Sequence, residues 1–483
     1  MGPIPRNERN ADIRMQEDLT TLALRNLPAP MQTVTSTLAQ AFASHDRQLF
    51  LVGGSVRDLL LGNIAADLDF TTDARPKETL EIGEAAGATS TYTVGERFGT
   101  VGLVFGDQVV EITTFRSETY PTSDRRPVVE FGDSIDGDLS RRDFTINAIA
   151  VDAITGALID PFDGRRHLEG RRIEAVGDAP SRFAEDPLRI LRAARFASQL
   201  GFDVEPETRS AMAQLAYRLP DISTERIAAE LNRLLVGTAP SNGMQLIRDT
   251  GVLQFTIPEL MDIAHDEIQG RHKDIWDHTM QVLDKTPPRL AVRWAALLHD
   301  AGKPRTRSMD SDGEVHFFGH ERVGADMARR TLRRLTQERN LTKRVSRLVD
   351  LHLRPAGYDD SWTDSAVRRL MVEVGDELDD LLDLAAADVT SAREHRQRDA
   401  SRRNQGLRAQ IARVREEAEL DQLQSPIDGN DLMAAFDRKP GRWIATVKDQ
   451  LREMVIDGEL RHDDKDRAME IARELVAGLD DES

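Results

Sequence analysis

The segment around Gly53 and Gly54 constrains the fold of this chain more than any other stretch. An apolar run that ends at Val52 precedes the two glycines, and a helical pattern begins near Ser55. Glycine lets the backbone turn sharply and approach a ligand without a Cβ in the way. The free N–H groups at the start of a helix attract anions. The order strand, glycine turn, helix therefore predicts a phosphate-binding loop, with Ser55 as the expected N-cap.

Arg57 and two aspartates add the chemistry of a nucleotide site. Arg57 lies on the first helical turn, where its guanidinium can bind phosphate oxygens. Asp67 and Asp69 are two positions apart, so the alternation of a β-strand places both carboxylates on one face. Proteins bind Mg²⁺ through one or two carboxylates together with substrate phosphates. The sequence therefore predicts a magnesium-dependent nucleotidyl transfer site.

A β-hairpin downstream offers a third carboxylate. Residues 101–105 and 108–115 have the pattern of two strands, and Gly106-Asp107 forms the expected two-residue turn. Glu111 lies in the second strand and would complete a two-metal cluster for attack on an α-phosphate. A Gly-Gly turn or an Asp-x-Asp pair alone is usually structural, and only the order of the elements makes the combination specific.

Two further motifs point to a family. Residues 141–148 read RRDFTINA, and residues 185–196 read EDPLRILRAARF. Together with the glycine turn and the Asp-x-Asp strand, in this order, they make the chain resemble the bacterial class II tRNA nucleotidyltransferases, the CCA-adding enzymes. The resemblance covers residues 35 to 260, roughly. It implies template-independent addition of C, C and A to tRNA 3′ ends from CTP and ATP, with release of pyrophosphate and Mg²⁺ as cofactor.

The second motif suits nucleotide selection. Pro187 fits the first turn of a helix whose apolar stripe includes Leu188 and Leu191. Asp186 and Arg189 are i, i+3 neighbours that are expected to brace one another. Cytosine and adenine both present an amino donor beside a ring-nitrogen acceptor, so a carboxylate beside a guanidinium would select them over guanine and uracil. A solvated salt-bridged helix face is the alternative for such a pair, and the resemblance implies the template role.

The resemblance also assigns the other nucleotide contacts. The full implied set is Gly53, Gly54, Arg57, Arg142, Asp186, Arg189, Arg192 and Arg195. Arg192 and Arg195 are expected nearer to phosphate or to the helical neck at residues 164–257. Arg116 is a weaker candidate for a nucleotide contact. The helix after Ser223 resembles a later family motif whose apolar side is explained by packing, so Arg226 receives no catalytic role.

A second chemical centre is expected downstream. The pair His299-Asp300 follows an apolar helix, residues 290–298, which the segment 301–304 ends. Together with His278 before it and Asp388 after it, the pair makes this region resemble an HD phosphohydrolase domain, which would hold a divalent metal of unknown identity. The expected ligands are His278, His299, Asp300 and Asp388, and His320 and His352 are available to a second metal. A helical body kept for tRNA contact is the alternative to a working hydrolase.

Length and composition restrict the remaining possibilities. With 483 residues the chain is too long for one core, so about three or four domains are expected. Because it has no cysteine, disulfide partners and thiol catalysis are excluded. No apolar run approaches the ~18 residues of a membrane helix, and the first residues lack a signal sequence, which predicts a cytoplasmic protein without a membrane partner. The net charge of −19 opposes RNA binding overall, but arginine-rich stretches within 329–347 and 393–413 offer basic surfaces for a tRNA acceptor end.

The expected fold class is α+β, with a small mixed-sheet nucleotidyltransferase head followed by an all-α neck, HD body and tail. The predicted segments are a polar N-terminal arm at 1–30, the head at 31–163, a helical neck for nucleotide selection at 164–257, the HD domain at 258–390 and a helical tail at 391–483.

Three other functions are compatible with the sequence. A poly(A) polymerase, or a partial enzyme that adds only C or only A, would share the head motifs. The HD domain favours the tRNA enzyme over poly(A) polymerase but does not exclude a partial enzyme. From another class, the chain could act mainly as a metal-dependent HD phosphohydrolase with a relic head. The intact aspartates and the RRD motif argue against a relic.

Overall fold

A computed structural model describes most of the chain. The described residues are 24–64, 67–94, 99–119, 128–132, 134–264, 274–359, 361–389, 394–417 and 424–481. The polar arm predicted for residues 1–30 lies outside these ranges up to residue 23. The chain divides into two compact units, Met1–Pro258 and Glu259–Ser483. Throughout the described ranges, each helix is too short or too polar to cross a bilayer.

A mixed sheet is the centre of the first unit, which confirms the predicted α+β class. The strands of this unit are β1 (Leu49–Val52), β2 (Leu68–Thr72), β3 (Ser90–Val94), β4 (Thr100–Phe105), β5 (Gln108–Thr114), β6 (Arg116–Thr119), β7 (Val128–Phe131), β8 (Ala150–Asp152), β9 (Leu158–Ile159), β10 (Arg172–Ile173) and β11 (Asp203–Val204). Seven of them form one sheet in the order β3-β4-β5-β2-β1-β8-β9. In this sheet β2 and β5 run parallel, and the other neighbours run antiparallel.

Helices cover the sheet and continue the first unit. They are α1 (Ala29–Ser44), α2 (Gly54–Leu60), α3 (Pro76–Ala85), α4 (Ile135–Ser140), α5 (Gly164–Glu169), α6 (Ala179–Glu185), α7 (Leu188–Leu200), α8 (Pro206–Leu215), α9 (Thr224–Leu235), α10 (Pro240–Asp249) and α11 (Leu253–Thr256), with 3₁₀ turns at Thr145–Asn147, Ala216–Asp221 and Pro258–Leu260. Helix α7 packs against α9 and α10. The apolar stripe predicted for α7 is confirmed, because Leu188 and Leu191 are buried.

Strand β5 alternates between buried residues on one face of the sheet and more exposed residues on the other, which we call the open face. Val101, Leu103 and Val110 are fully buried on the first face. Helix α3 covers that face closely, since a Cβ added to Gly83 would lie 2.6 Å from Cδ1 of Leu103. The predicted hairpin is also confirmed, with Gly106 in the left-handed region at φ +60°. Glu111 lies on the open face, and so does the apolar Val109.

The second unit is mainly helical. Its elements are α12 (Met261–Ala264), α13 (Ile275–Lys285), α14 (Leu290–Leu298), α15 (Lys303–Thr306), a hairpin of β12 (Ser308–Met309) and β13 (Val315–His316), α16 (His320–Arg334), α17 (Arg339–Leu351), α18 (Asp364–Val374), α19 (Leu378–Ala387), α20 (Glu394–Glu417), α21 (Gly429–Phe436), α22 (Arg442–Asp457) and α23 (Lys465–Asp481), with 3₁₀ turns at Pro355–Gly357 and Gly375–Glu377. The last three helices share a separate apolar cluster around Leu432 and Leu451.

Candidate active site

Three carboxylates lie beside one another at the open face of the sheet. Asp69 on β2 pairs in register with Glu111 on β5, so the two side chains are neighbours. Asp67 directly precedes β2, and the intervening Leu68 is turned into the core. None of the three carboxylates forms an ion pair with a cation in the described part of the chain. The hairpin and the Asp-x-Asp strand thus bring together the residues predicted to hold metal.

Burial and the crowding of negative charge both act on Asp69. Burial, and then the charges of Glu111 and Asp67, raise the pKa of Asp69 to about 6, against an opposing effect of Arg142. A divalent cation would relieve this repulsion, and oxygen ligands from carboxylates suit a hard cation. The donor set therefore fits a divalent metal ion.

This raised pKa predicts a pH-dependent metal affinity. Below about pH 6 the Asp69 carboxyl is protonated in the metal-free protein, and a metal must displace that proton. We expect the apparent affinity of the head for Mg²⁺ to be about tenfold lower at pH 5 than at pH 7. Calorimetric titration of the variant with His299→Ala and Asp300→Ala would isolate the head. Equal affinity at the two pH values would contradict the expectation.

Gly53 shapes the loop between β1 and α2. Its φ is +71°, and a Cβ at this position would lie 2.8 Å from Nη1 of Arg142. Glycine is therefore favoured at this position for two reasons: it adopts the positive φ of the turn, and it leaves room for the guanidinium of Arg142. The prediction that Ser55 caps the helix is wrong, because α2 begins at Gly54 with Gly53 as its N-cap. Ser55 lies on the first turn, and its Oγ donates instead to the carbonyl oxygen of Asp67 at 2.9 Å, which ties the loop to the carboxylates.

Arg57 is held in place from two sides. Its Nη1 donates to Oδ1 of Asn147 at 2.9 Å, and its Nη2 lies 2.8 Å from Oδ1 of Asp58. The guanidinium also lies 5.3 Å from the ring centroid of Phe196 on α7. The predicted phosphate-binding arginine is thus fixed beside the helix that is predicted to select the base.

Arg142 depends on an acid that sequence reasoning missed. Asp138 is buried and accepts from Nη2 of Arg141 at 2.6 Å and from Nη2 of Arg142 at 3.2 Å. Burial alone would raise the pKa of Asp138, but the two guanidinium groups outweigh it and lower that pKa. The sequence does contain a sign of this contact, because Arg141 and Arg142 follow Asp138 at the i, i+3 and i, i+4 spacing of neighbours on a helix.

The predicted template pair has a different geometry from the one expected. Oδ1 of Asp186 accepts from the N–H of Leu188 at 3.1 Å, and its Oδ2 accepts from Nη2 of Arg226 at 3.1 Å. Arg189 donates to Oε2 of Glu185 at 3.0 Å and to the carbonyl oxygen of Arg141 at 2.8 Å. The prediction that Asp186 and Arg189 brace one another is therefore wrong, because each has its own partners. Arg226, to which the sequence assigns no catalytic role, instead holds the carboxylate of Asp186.

The other two arginines of α7 are also anchored by acids. Nε of Arg192 donates to Oδ2 of Asp143 at 2.7 Å, and Nη1 of Arg195 lies 3.2 Å from Oε2 of Glu230. Burial, with the neighbouring charge of Arg192, lowers the pKa of Arg195 to about 10 in spite of Glu230. Oδ1 of Asp143 also accepts from Nδ2 of Asn147 at 3.1 Å. A continuous polar chain thus runs from Arg57 through Asn147 and Asp143 to Arg192.

These residues surround one cavity of about 780 Å³, a size that suits a nucleotide. It is lined by Gly53, Gly54, Ser55, Arg57, Asp58, Asp67, Asp69, Arg141, Arg142, Asp143, Asn147, Asp186, Leu188, Arg189, Arg192, Arg195, Phe196, Gln199, Arg226 and Arg233. Every predicted nucleotide-binding residue is in this set. Arg116 is not, and its backbone N–H donates to Asp138 at 3.4 Å. Glu111 lies beyond the lining, on the far side of Asp69.

Two adjacent triads of side chains that could hold a metal ion lie in the described part of the second unit. His278, His299 and Asp388 form one, and Asp300, His320 and His352 form the other. Asp300 belongs to the second triad and also lies close to the two histidines of the first. Its Oδ2 is 3.2 Å from Nε2 of His299, and its Oδ1 is 3.5 Å from Nε2 of His320. The predicted ligands are thus brought together, but as two neighbouring donor sets that share a carboxylate.

Backbone carbonyls orient the imidazoles of this centre. The Nδ1 atoms of His299, His320 and His352 lie 2.8, 2.8 and 2.7 Å from carbonyl oxygens three residues earlier. An Nδ1–H donor on each ring directs Nε2 to the centre, as in metal sites. Burial lowers the pKa of His299, but the charges and hydrogen bonds of Asp300 and Asp388 outweigh it and raise that pKa to about 10. These imidazoles and carboxylates therefore fit divalent metal ions, and a bound ion would replace the proton on His299.

Close helix packing makes the centre possible. The segment after α14 was predicted only as a helix end. A Cβ at Gly302 would overlap the carbonyl oxygen of His320 at the start of α16. The missing side chain lets His299 and Asp300, at the end of α14, approach the first turn of α16.

Three family models match successive parts of the chain. Residues 49–174 match the Poly A polymerase head domain, residues 201–263 the Probable RNA and SrmB-binding site of polymerase A, and residues 275–393 the HD domain. A CCA-adding enzyme of Geobacillus sp. (strain WCH70) is 31% identical over 443 residues, which cover 91% of this chain and 97% of the relative. One of Lactococcus lactis subsp. cremoris (strain SK11) is 31% identical over 448 residues, which cover 92% and 96%.

Solved structures agree with these matches. The crystal structure of Bacillus stearothermophilus CCA-adding enzyme in complex with CTP is 26% identical, with a TM-score of 0.69 over 93% of this chain and 100% of that chain. The Thermotoga maritima CCA-adding enzyme complexed with tRNA shares the fold, with a TM-score of 0.59 and 19% identity over 95% of this chain and 98% of that chain.

Proposed function

Because the chain belongs to the CCA-adding enzyme family, we propose that its cavity adds C, C and A to tRNA 3′ ends, taking the nucleotides from CTP and ATP and releasing pyrophosphate. The chain is accordingly a nucleotidyltransferase that acts on tRNA. One observation carries the assignment of the site. Asp67 and Asp69 line the same cavity as the glycine loop and the arginines of α7, so metal, triphosphate and base can be bound together.

The glycine loop and two arginines bind the triphosphate in this mechanism. The backbone at Gly53 and Gly54 approaches the phosphates without hindrance, because neither residue has a Cβ. Arg57 and Arg142 supply planar guanidinium groups that suit phosphate oxygens. Asn147 and Asp138 fix these two groups in advance, which reduces the entropy lost on binding.

The carboxylates support the transfer step. Asp67 and Asp69, with Glu111 beside them, would hold Mg²⁺. When bound, Mg²⁺ stabilises charge on the α-phosphate and on the attacking oxygen. The 3′-hydroxyl oxygen of the tRNA forms a bond to the α-phosphorus, and the bond from that phosphorus to the pyrophosphate oxygen breaks. The proton of the 3′-hydroxyl passes to solvent or to a carboxylate. The departing pyrophosphate remains paired with Arg57 and Arg142 until release.

Asp186 and Arg189 choose the base. Asp186 accepts a hydrogen bond from the amino group of C or A, and Arg189 donates to the ring nitrogen beside it. Both side chains are already oriented by protein partners. Arg226 and the N–H of Leu188 fix Asp186, and the carbonyl oxygen of Arg141 fixes Arg189. A preoriented pair rejects G and U because their donors and acceptors are exchanged.

One experiment tests the function directly. Purified protein is incubated with tRNA that lacks one, two or three terminal residues and with each labelled nucleoside triphosphate in turn. The proposal requires that CMP is incorporated into the two shorter substrates and that AMP is incorporated only when both cytidines are already present. Addition of C alone or A alone would identify a partial enzyme, and repeated AMP addition a poly(A) polymerase.

The two triads favour a second activity in the same chain, that of a metal-dependent phosphohydrolase. Asp300 faces both donor sets, a geometry that suits two adjacent metal ions and a phosphate ester. We expect the double variant His299→Ala, Asp300→Ala to lose metal-dependent hydrolysis of p-nitrophenyl phosphate and of 2′,3′-cyclic AMP, and to keep nucleotide addition largely intact.

Two further variants control this prediction. His299 and Asp300 are buried, so Asp388→Asn, at a carboxylate that is 30% exposed, tests the same centre with less risk to folding. Asp69→Asn should have the converse effect, with loss of addition and retention of hydrolysis. Loss of addition in a folded Asp388→Asn protein would contradict the separation of the two centres.

A further inference from the structure

A row of four residues crosses the open face of the sheet next to the catalytic carboxylates. Tyr92 on β3 is paired with Gly102 on β4, Gly102 with Glu111 on β5, and Glu111 with Asp69 on β2. Paired residues on neighbouring strands point to the same face of a sheet. The Tyr92 side chain therefore lies on the same surface as the carboxylates that are assigned to metal.

The Tyr92 ring lies over Gly102. A Cβ at Gly102 would overlap the ring carbons of Tyr92, so glycine leaves the space that the ring occupies. The ring thus leans from β3 across β4 and so towards Glu111. It stays 39% exposed, and Val109 beside this row is 50% exposed. An aromatic surface supported by the sheet and open to solvent is a typical base-stacking platform.

The strand order places this platform opposite the triphosphate. The glycine loop leaves the sheet at the end of β1, on one side of β2, whereas β5, β4 and β3 follow on the other side. In-line transfer requires the attacking hydroxyl opposite the leaving pyrophosphate. The acceptor end must then approach Asp69 from the side of Glu111. Two strand spacings, about 10 Å, separate Gly102 from Asp69, which is about the reach from a 3′ oxygen to the far edge of its own base.

We propose that the Tyr92 ring stacks on the base of the 3′-terminal nucleotide of the acceptor tRNA and thereby positions its 3′-hydroxyl at Asp69 and Glu111. This inference rests on the proposed CCA addition. The chemistry suits that reaction, because the terminal base changes with each addition. Hydrogen bonds to a base edge would recognise only one acceptor, whereas every base has a face on which an aromatic ring can stack.

The test compares Tyr92→Ala and Tyr92→Leu with wild type and with Tyr217→Ala. The leucine variant keeps Gly102 covered without an aromatic ring, so it serves if the alanine variant does not fold. Tyr217 is a matched control, since it is 61% exposed and lies outside the row. We expect kcat/KM for tRNA to fall about tenfold in both Tyr92 variants, with the KM for CTP unchanged. Tyr92→Phe should restore the wild-type value.

A substrate whose 3′-terminal nucleotide lacks its base gives the decisive comparison. Stacking requires both the ring and the base, so Tyr92→Leu should have no further effect on this substrate. Equal fold losses on the intact and abasic substrates would overturn the inference, as would wild-type kinetics of Tyr92→Leu on the intact tRNA. Failure of wild type and Tyr217→Ala to incorporate CMP would instead refute CCA addition itself.

Discussion

Asp69→Asn is expected to abolish incorporation of both CMP and AMP, while binding of tRNA survives. In the proposed mechanism this carboxylate is needed at each of the three additions, because it binds the metal ion in every one of them. We expect the rate to fall by about three orders of magnitude or more. Asp67→Ala should have the same effect. Incorporation of labelled CMP and AMP under single-turnover conditions is the measurement.

Stability distinguishes this loss from misfolding. The folded protein holds the Asp69 proton more tightly than the unfolded chain does, because the pKa of the carboxyl is raised to about 6. Ionisation of Asp69 therefore lowers the free energy of unfolding as the pH rises from about 4 to about 6. Asn carries no such charge. The metal-free variant should thus unfold at pH 8 at a temperature no lower than wild type.

Asp73 provides the matched control for Asp69. It follows the end of β2 and accepts from the N–H of Gln48, outside the cavity. Asp73→Asn should leave incorporation close to wild type. Activity retained in both Asp67→Ala and Asp69→Asn would move the catalytic centre elsewhere.

Asp186→Ala is expected to relax the choice of nucleotide more than it weakens triphosphate binding. In the proposed mechanism, the substitution removes the acceptor for the amino group of C or A. A closed site that selects by hydrogen bonds rejects the wrong partner by several kcal/mol, since mismatched groups are left unpaired. Misincorporation of UMP or GMP relative to CMP and AMP should rise by about one order of magnitude or more. Arg189→Ala should act in the same direction.

The measurement is steady-state incorporation of all four nucleotides by wild type and both variants. Asp178→Ala is the control, because Asp178 caps the preceding helix α6 through Ser181 and does not line the cavity. Arg226→Ala should give a smaller loss of selectivity, since one oxygen of Asp186 keeps its bond to Leu188. An unchanged preference for C and A in the Asp186 and Arg189 variants would exclude a protein template.

Local patterns predicted the parts of the site that depend on neighbours in sequence. The strand before Gly53, the turn itself and the facing of Asp67 and Asp69 follow from backbone geometry over a few residues. The Gly106-Asp107 hairpin was predictable for the same reason. The adjacency of Glu111 and Asp69 is different, because it depends on the register of two parallel strands that are far apart in sequence.

The errors arose where a distant partner displaced a local one. The i, i+3 spacing favoured a bond between Asp186 and Arg189, but Arg226 and the Arg141 carbonyl lie 40 and 48 residues away from them and make better partners. Ser55 likewise donates to the Asp67 carbonyl, 12 residues away, instead of capping its helix. No sequence pattern specifies such contacts, because they depend on how whole elements pack.

The polar chain from Arg57 through Asn147 and Asp143 to Arg192 bears on how such a protein can be recombined. Its first three members lie before the boundary predicted at residue 163, and Arg192 lies after it. A chimera joined there from two relatives would have to inherit Asp143 and Arg192 as a matched pair. One that did not would bury an uncompensated charge, at a cost of about 3 to 5 kcal/mol. Recombination between related genes would therefore have to exchange the head and the helices that follow it together.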